Sequence, residues 1–297
     1  MSAEFRKLIA DKIASNREKL SASSLKTYVS ILFNLHKHLN SSSSTLDFFE
    51  EEEQAILDYL KDAPPKSRKS VLSALFVLTN NPSYREKMLD DCKLVNSQYK
   101  EQKKDTRERD NWISVDDIKV KYNDLLDKVK AMFSKNMCVD SATVINYLLI
   151  ALLGGVSSLA PRRSLDYALM KIRNYDMKKD NYYKAGKMYF NQYKTANKYG
   201  KQEVKLPEEL NNIIKKWMKV AKGDFLLFSS NGNPLTSSQI SRMLNKIFDG
   251  KKISVDMLRH IYLSDLYKGM PSLLSMEKTA SEMGHSVQTA LTYVKRD

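Results

Sequence analysis

Crosslinking and metal-binding residues are scarce in this chain. Two cysteines, Cys92 and Cys138, stand among 297 residues. They have no paired spacing, so neither a disulfide framework nor a thiolate zinc site is indicated, and both read as packed or idle thiols. No apolar run approaches the ~18 residues of a spanning helix, and no basic amphipathic tail stands apart, so no membrane partner is expected. The N-terminus mixes Glu4, Arg6, Lys7 and Asp11 among apolar residues. It therefore lacks the uninterrupted stretch of a signal peptide, and the chain is expected to stay inside a cell, nuclear or cytoplasmic according to where its partner lies. No internal repeat of useful length is visible, and no cluster of acids has two-metal nuclease character.

What is present in excess is positive charge. Lysine and arginine total 49 against 35 acidic residues, giving a net charge of +14 and a pI near 9.4. Such a balance points to a polyanionic partner, nucleic acid first. An apolar fraction of 42% supports real cores, and the length suits two compact domains or one large one.

From Ala3 to about Gln102 apolar residues recur at three and four, punctuated by Ser, Asn and Pro, which predicts a succession of short helices and no strand. The Ser41 to Ser44 tract reads as a loop. The acidic run Glu50 to Glu53 falls in the first turns of a helix, where negative charge suits the dipole. After Pro64-Pro65, Lys66, Arg68 and Lys69 open another helix, where cations and free backbone N–H groups suit a phosphate or a solvated surface. Between Tyr99 and Arg109 the composition is that of a linker, and the boundary between residues 1–104 and 105–297 is placed there.

Beyond it, Ser114 and Asp117 form a capping-box pattern for a helix to about Phe133, followed by a helix from about Asp140 to Leu153 that Gly154-Gly155 ends. Met188-Tyr189-Phe190 and Val204-Lys205-Leu206 flank a polar turn with Asn197 and Gly200, which predicts antiparallel strands with Lys194 near the turn. Thr236 or Ser237 caps a helix to about Phe248, and Ser254 caps another to about Tyr267. The expected fold is mainly α with a small antiparallel sheet.

Five short segments fall in a telling order: Arg162-Arg163, Lys194, Arg259-His260, Gly284-His285 and Tyr293. One phenol, two guanidiniums, an ammonium and an imidazole suffice to attack a phosphodiester and offset its extra charge without a metal. The planar fork of arginine donates two parallel hydrogen bonds to nonbridging phosphate oxygens and stays charged at any working pH. His36 and His38, on an N-terminal helix, read as structural or exposed.

Over residues 159 to 293 these boxes resemble those of the tyrosine recombinase, or phage-type integrase, family. Arg163 fits the first box, with an acid, Asp166, three residues later; Arg162 is the alternative if the register slips by one. Met257-Leu258-Arg259-His260 is similar to the second box, and Met283-Gly284-His285-Ser286 followed by Tyr293 to the third. Lys194-Thr195 resembles the family's lysine between two strands.

The resemblance implies Tyr293 as nucleophile, Arg163, Arg259 and His285 as phosphate ligands, and Lys194 as general acid to the leaving 5′ oxygen. Arg162, Asp256 and His260 are alternates. It implies a helical core-binding domain over 1–104 and a catalytic domain over 105–297. The two would clamp double-stranded DNA, with Lys26, Lys66, Arg68, Lys69, Lys198 and Lys201 on phosphates and a homo-tetramer on the DNA, without cofactor or metal.

The activity implied is cutting and rejoining of DNA through a 3′-phosphotyrosyl intermediate, as a recombinase or integrase of a mobile or viral element. The alternatives are a type IB topoisomerase-like enzyme and a non-catalytic DNA-binding protein descended from a recombinase. The chain departs from the family three residues before Arg259, where Asp256 replaces the usual His or Lys. A carboxylate cannot donate to phosphate, though it can orient Arg259 at i, i+3, and Lys251 or Lys252 is then the candidate for the missing cation.

Overall fold

The computed structural model describes residues 2–39, 45–134 and 138–294, so the Ser41 to Ser44 loop lies outside the described residues. The chain divides into two compact units, Met1–Lys103 with Pro271–Asp297, and Lys104–Met270.

The first unit is helical, with Ser2–Asn16, Ala22–His38, Phe48–Glu51, Glu53–Leu60, Pro65–Thr79 and Pro82–Lys100 from its N-terminal part. Phe5, Ile9 and Ile13 recur every four residues, so one face of the first helix is apolar, and all three are buried against Leu32, Phe49, Leu72 and Leu75. The helix boundaries follow local chemistry. Ser21 accepts from the Ser24 amide, Pro65 occupies the first turn of its helix, and Asn80 ends it in the left-handed conformation (φ 57°). Burial of polar groups is matched by bonds: the Asn16 side chain donates to the Leu78 carbonyl at 2.6 Å, and the Tyr84 hydroxyl to the Phe49 carbonyl at 2.7 Å. The His36 ring packs 4.4 Å from that of Phe5. The same unit holds the helices Leu273–Glu282 and Val287–Leu291, tied to Pro82–Lys100 by an ion pair between Lys100 and Glu277 at 3.0 Å.

The second unit is built around Ser141–Leu153, whose residues from Tyr147 to Leu153 are all fully buried. A helix apolar on every side can only be a core helix. Asp140 caps its start, and Val115–Ser134 packs beside it. Ser114 and Asp117 exchange the two bonds of a capping box.

A four-stranded sheet, in the order β1-β2-β3-β4, comprises β1 Met170–Lys171, β2 Asn181–Lys184, β3 Lys187–Phe190 and β4 Gln202–Lys205. β3 and β4 are antiparallel with Met188 opposite Val204, and β2–β3 is a tight hairpin through Ala185 and Gly186, both at positive φ. Two expectations are corrected. The sheet is mixed, because β1 runs parallel to β2; with two residues β1 is too short to show any alternation. The Tyr99–Arg109 stretch is not an unstructured linker: the first unit's last long helix runs to Lys100, and Thr106–Asn111 is helical because Asp105 and Glu108 form a capping box.

Candidate active site

The first arginine box follows the buried helix after a sharp reversal. Gly155 has φ +72°, and a Cβ there would lie 2.4 Å from the Tyr262 ring, so neither the turn nor the packing admits a side chain. The chain bends again at Ser158 (φ 61°) before Arg163, an extended residue that precedes the short helix Ser164–Ala168. Ser164 meets Ser237 through their hydroxyls at 2.9 Å. Arg259 arrives from Val255–Leu266, a helix capped by Ser254 and oriented by buried Leu258 and Ile261.

Arg163 and Arg259, far apart in sequence, line one cavity of about 250 Å³, together with Arg162 and Asp166. Asp166 is 3% exposed. Burial pushes its carboxyl up from the ordinary range, and the charges of Arg162, Arg163 and Arg259 all pull it back. Three guanidiniums therefore surround one buried carboxylate.

The two adjacent arginines are not equivalent. Arg162 donates from Nε to Asp166 at 3.0 Å and from Nη1 to Gln202 at 2.7 Å, and its guanidinium lies 4.0 Å from the centre of the Phe190 ring. Two of its five N–H donors and its flat face are engaged inside the fold. Arg163 has no hydrogen bond or ion pair from its side chain among the described residues, and its fork is free for a ligand.

Arg259 donates to Asp256 at 3.1 Å, one helical turn away. Asp256 also lies 3.7 Å from Nε2 of His260, whose Nδ1 is 2.6 Å from Glu108. His260 is exposed and does not line the cavity. Neither does Lys251, which donates to the Trp112 carbonyl at 3.3 Å, nor Lys252, whose amide bonds Asn111.

Between β3 and β4 the chain is not a simple hairpin tip, for it contains a helical turn, Ala196–Tyr199. Lys194 is exposed and is not a wall of the cavity, whereas its neighbour Thr195 is, along with Tyr193, Tyr199 and Gln202. Lys201 donates to the Tyr182 hydroxyl at 3.3 Å, over the stacked rings of Tyr182 and Tyr189. Lys198 is exposed beside Tyr199.

Asn181 fixes the start of this connection. Fully buried, it donates to the Asp166 carbonyl at 3.0 Å and accepts from the Asn191 and Gln192 amides. Neither Asn191 and Gln192 nor the cavity-lining Tyr193, Tyr199 and Gln202 carried a pattern in the sequence; for Asn181, an asparagine at the head of an apolar strand segment was the one available signal.

His285 and Tyr293 belong to the first unit. Their rings stack with centroids 5.4 Å apart, and Tyr293 is 62% exposed. Gly284, at φ +72°, turns the chain before His285. Of the other basic candidates in this unit, Lys26 is exposed, Lys66 lies 5.9 Å from the Tyr99 ring centre, and Lys69 is half-buried. Arg68 is held by buried Asp91 through Nε at 2.8 Å and Nη2 at 2.5 Å and by the Lys61 carbonyl at 2.9 Å, which commits its guanidinium to the fold.

Among the described residues no helix is long and apolar enough to cross a membrane. No protein-family model matches the chain, and no curated protein matches it. Among solved structures it is similar to one titled "Crystal structure of XerA recombinase", at 14% identity, over 99% of this chain and 94% of that chain, with a TM-score of 0.35. At that identity and TM-score the likeness carries no argument about activity.

Proposed function

We propose that the chain is a DNA strand-cutting and rejoining enzyme of the tyrosine recombinase type. One observation supports this most: Arg163 and Arg259 line a single cavity, with the fork of Arg163 unclaimed by the fold. Two guanidiniums are what a phosphodiester needs as its phosphorus becomes pentacoordinate and its charge grows. In the proposed reaction the Tyr293 phenol gives up its proton to solvent, its oxygen bonds to phosphorus and the bond to the 5′ oxygen breaks. Lys194 gives the 5′ oxygen its proton, and His285 bonds a nonbridging oxygen. The phosphotyrosyl ester conserves the energy of the diester, so a 5′ hydroxyl of another strand reverses the step. Double-stranded DNA is the proposed partner, a homo-tetramer the proposed assembly, and integration of a mobile or viral element the proposed context.

A second reading, a DNA-binding protein without catalysis, is favoured by the pairing of Arg259 with Asp256. A nicked duplex carrying the scissile phosphate separates the two. Under the enzyme reading the parent chain forms a covalent adduct on a denaturing gel, and Tyr293→Phe and Arg163→Ala do not. Binding without an adduct at any site tried supports the second reading. An adduct that survives Tyr293→Phe moves the nucleophile elsewhere, and supercoil relaxation without recombinants points to a topoisomerase.

A further inference from the structure

The cavity between Arg163 and Arg259 has a third side, formed by the connection between β3 and β4. Four side chains on that side carry polar groups, and the Thr195 hydroxyl has no hydrogen-bond partner among the described residues. Gln202 accepts from Arg162, and the Tyr193 hydroxyl donates to the Gly200 carbonyl at 2.6 Å. The Tyr199 hydroxyl has no hydrogen-bond partner among the described residues, its ring lying near Lys198. Tyr199 is 58% exposed and yet lines the cavity, so its phenol is free to meet a ligand.

The backbone around it is fixed. The Tyr199 amide donates to the Thr195 carbonyl at 3.1 Å and the Gly200 amide to Ala196 at 2.8 Å. Gly200, at φ +64° and ψ −163°, takes a conformation that side chains resist, so the chain turns away directly after Tyr199. The Tyr193 clamp on Gly200 closes the same turn.

On the other side Asp256 takes one Nη of Arg259 and offers the anion no donor. We infer that Tyr199 donates its phenolic hydroxyl to a nonbridging oxygen of the phosphate held by Arg163 and Arg259, as a further ligand supplied by the β3–β4 connection. This rests on the reading of that cavity as a phosphodiester site. A neutral donor adds no charge, but its hydrogen bond strengthens as charge builds on the oxygen, so its effect falls on rate more than on binding.

The test is Tyr199→Phe, which removes one oxygen and keeps the ring. Its thermal midpoint should match that of the parent. On the nicked duplex, adduct formation at saturating protein should slow about 10-fold or more, the usual range for one lost donor, with a smaller loss in duplex affinity. With a methylphosphonate at the scissile position, which lacks one charged oxygen, the gap between parent and variant should shrink. An unchanged rate in Tyr199→Phe, beside loss in Arg163→Ala, overturns the inference and leaves the enzyme reading intact. If no chain forms an adduct, titration with inorganic phosphate, followed on arginine side-chain NMR signals, decides the matter alone. Weaker binding by Tyr199→Phe upholds the inference, and equal binding overturns it.

Discussion

Replacing Arg162 and Arg163 separately should give opposite phenotypes, although the two are adjacent and chemically identical. Arg162→Ala strips the 3% exposed Asp166 of its hydrogen-bonded counter-ion. Breaking a buried pair from one side costs about 3–5 kcal/mol, and the lost stacking on Phe190 adds roughly 0.5–1 kcal/mol. Two effects reduce the sum: Arg163 and Arg259 still act on Asp166, and the carboxyl, already raised by burial, takes up a proton more readily. A net loss of about 3 kcal/mol follows, or a fall in melting temperature of about 6–12 °C for a unit of this size.

Both tryptophans, Trp112 and Trp217, lie in the second unit, so tryptophan fluorescence during heating reports on that unit. The loss should lessen at acidic pH, where Asp166 is neutral. Arg163→Ala should leave the transition within about 0.5 kcal/mol, as for a substitution that breaks no internal bond, while abolishing adduct formation. If Arg163→Ala unfolds the unit and Arg162→Ala leaves it stable, the division of labour drawn here is wrong.

Three further outcomes are expected. Arg68→Ala leaves Asp91, 2% exposed, without its partner and should destabilise the first unit by about 3–5 kcal/mol; far-UV circular dichroism should show an early transition and tryptophan fluorescence should not. Because the folded state holds the Asp166 proton to higher pH than the unfolded chain does, stability falls as pH rises from the ordinary carboxylate range through the raised folded value. The difference between parent and Asp166→Asn should carry that slope, and a flat difference would show that burial does not control this carboxyl. Duplex affinity should fall steeply with salt, and Lys198→Ala should reduce the slope of log affinity against log salt by about one if it contacts one phosphate.

Much of the local structure was legible because helix ends are decided by a few neighbouring residues. Ser114 with Asp117, Thr236 with Gln239 and Ser254 each close their own capping bonds. Met188 and Val204 pair across the antiparallel strands that their two segments predict. The parallel edge β1 and the helical turn at Ala196–Tyr199 were not legible, since two or four residues are too few for periodicity.

The amino-acid sequence by itself determined the helices, their caps, the main strands and the set of groups able to handle phosphate. Those depend on interactions within a few residues. Only the tertiary structure decided which of two neighbouring arginines is free. That depends on Phe190 and Gln202, brought from the sheet to occupy Arg162, and on Asn181, which ties Asp166 to the β3–β4 connection. It also decided that Tyr199 faces the same cavity as Arg259. No spacing along the chain encodes that meeting, because it depends on the backbone returning from distant segments to one place.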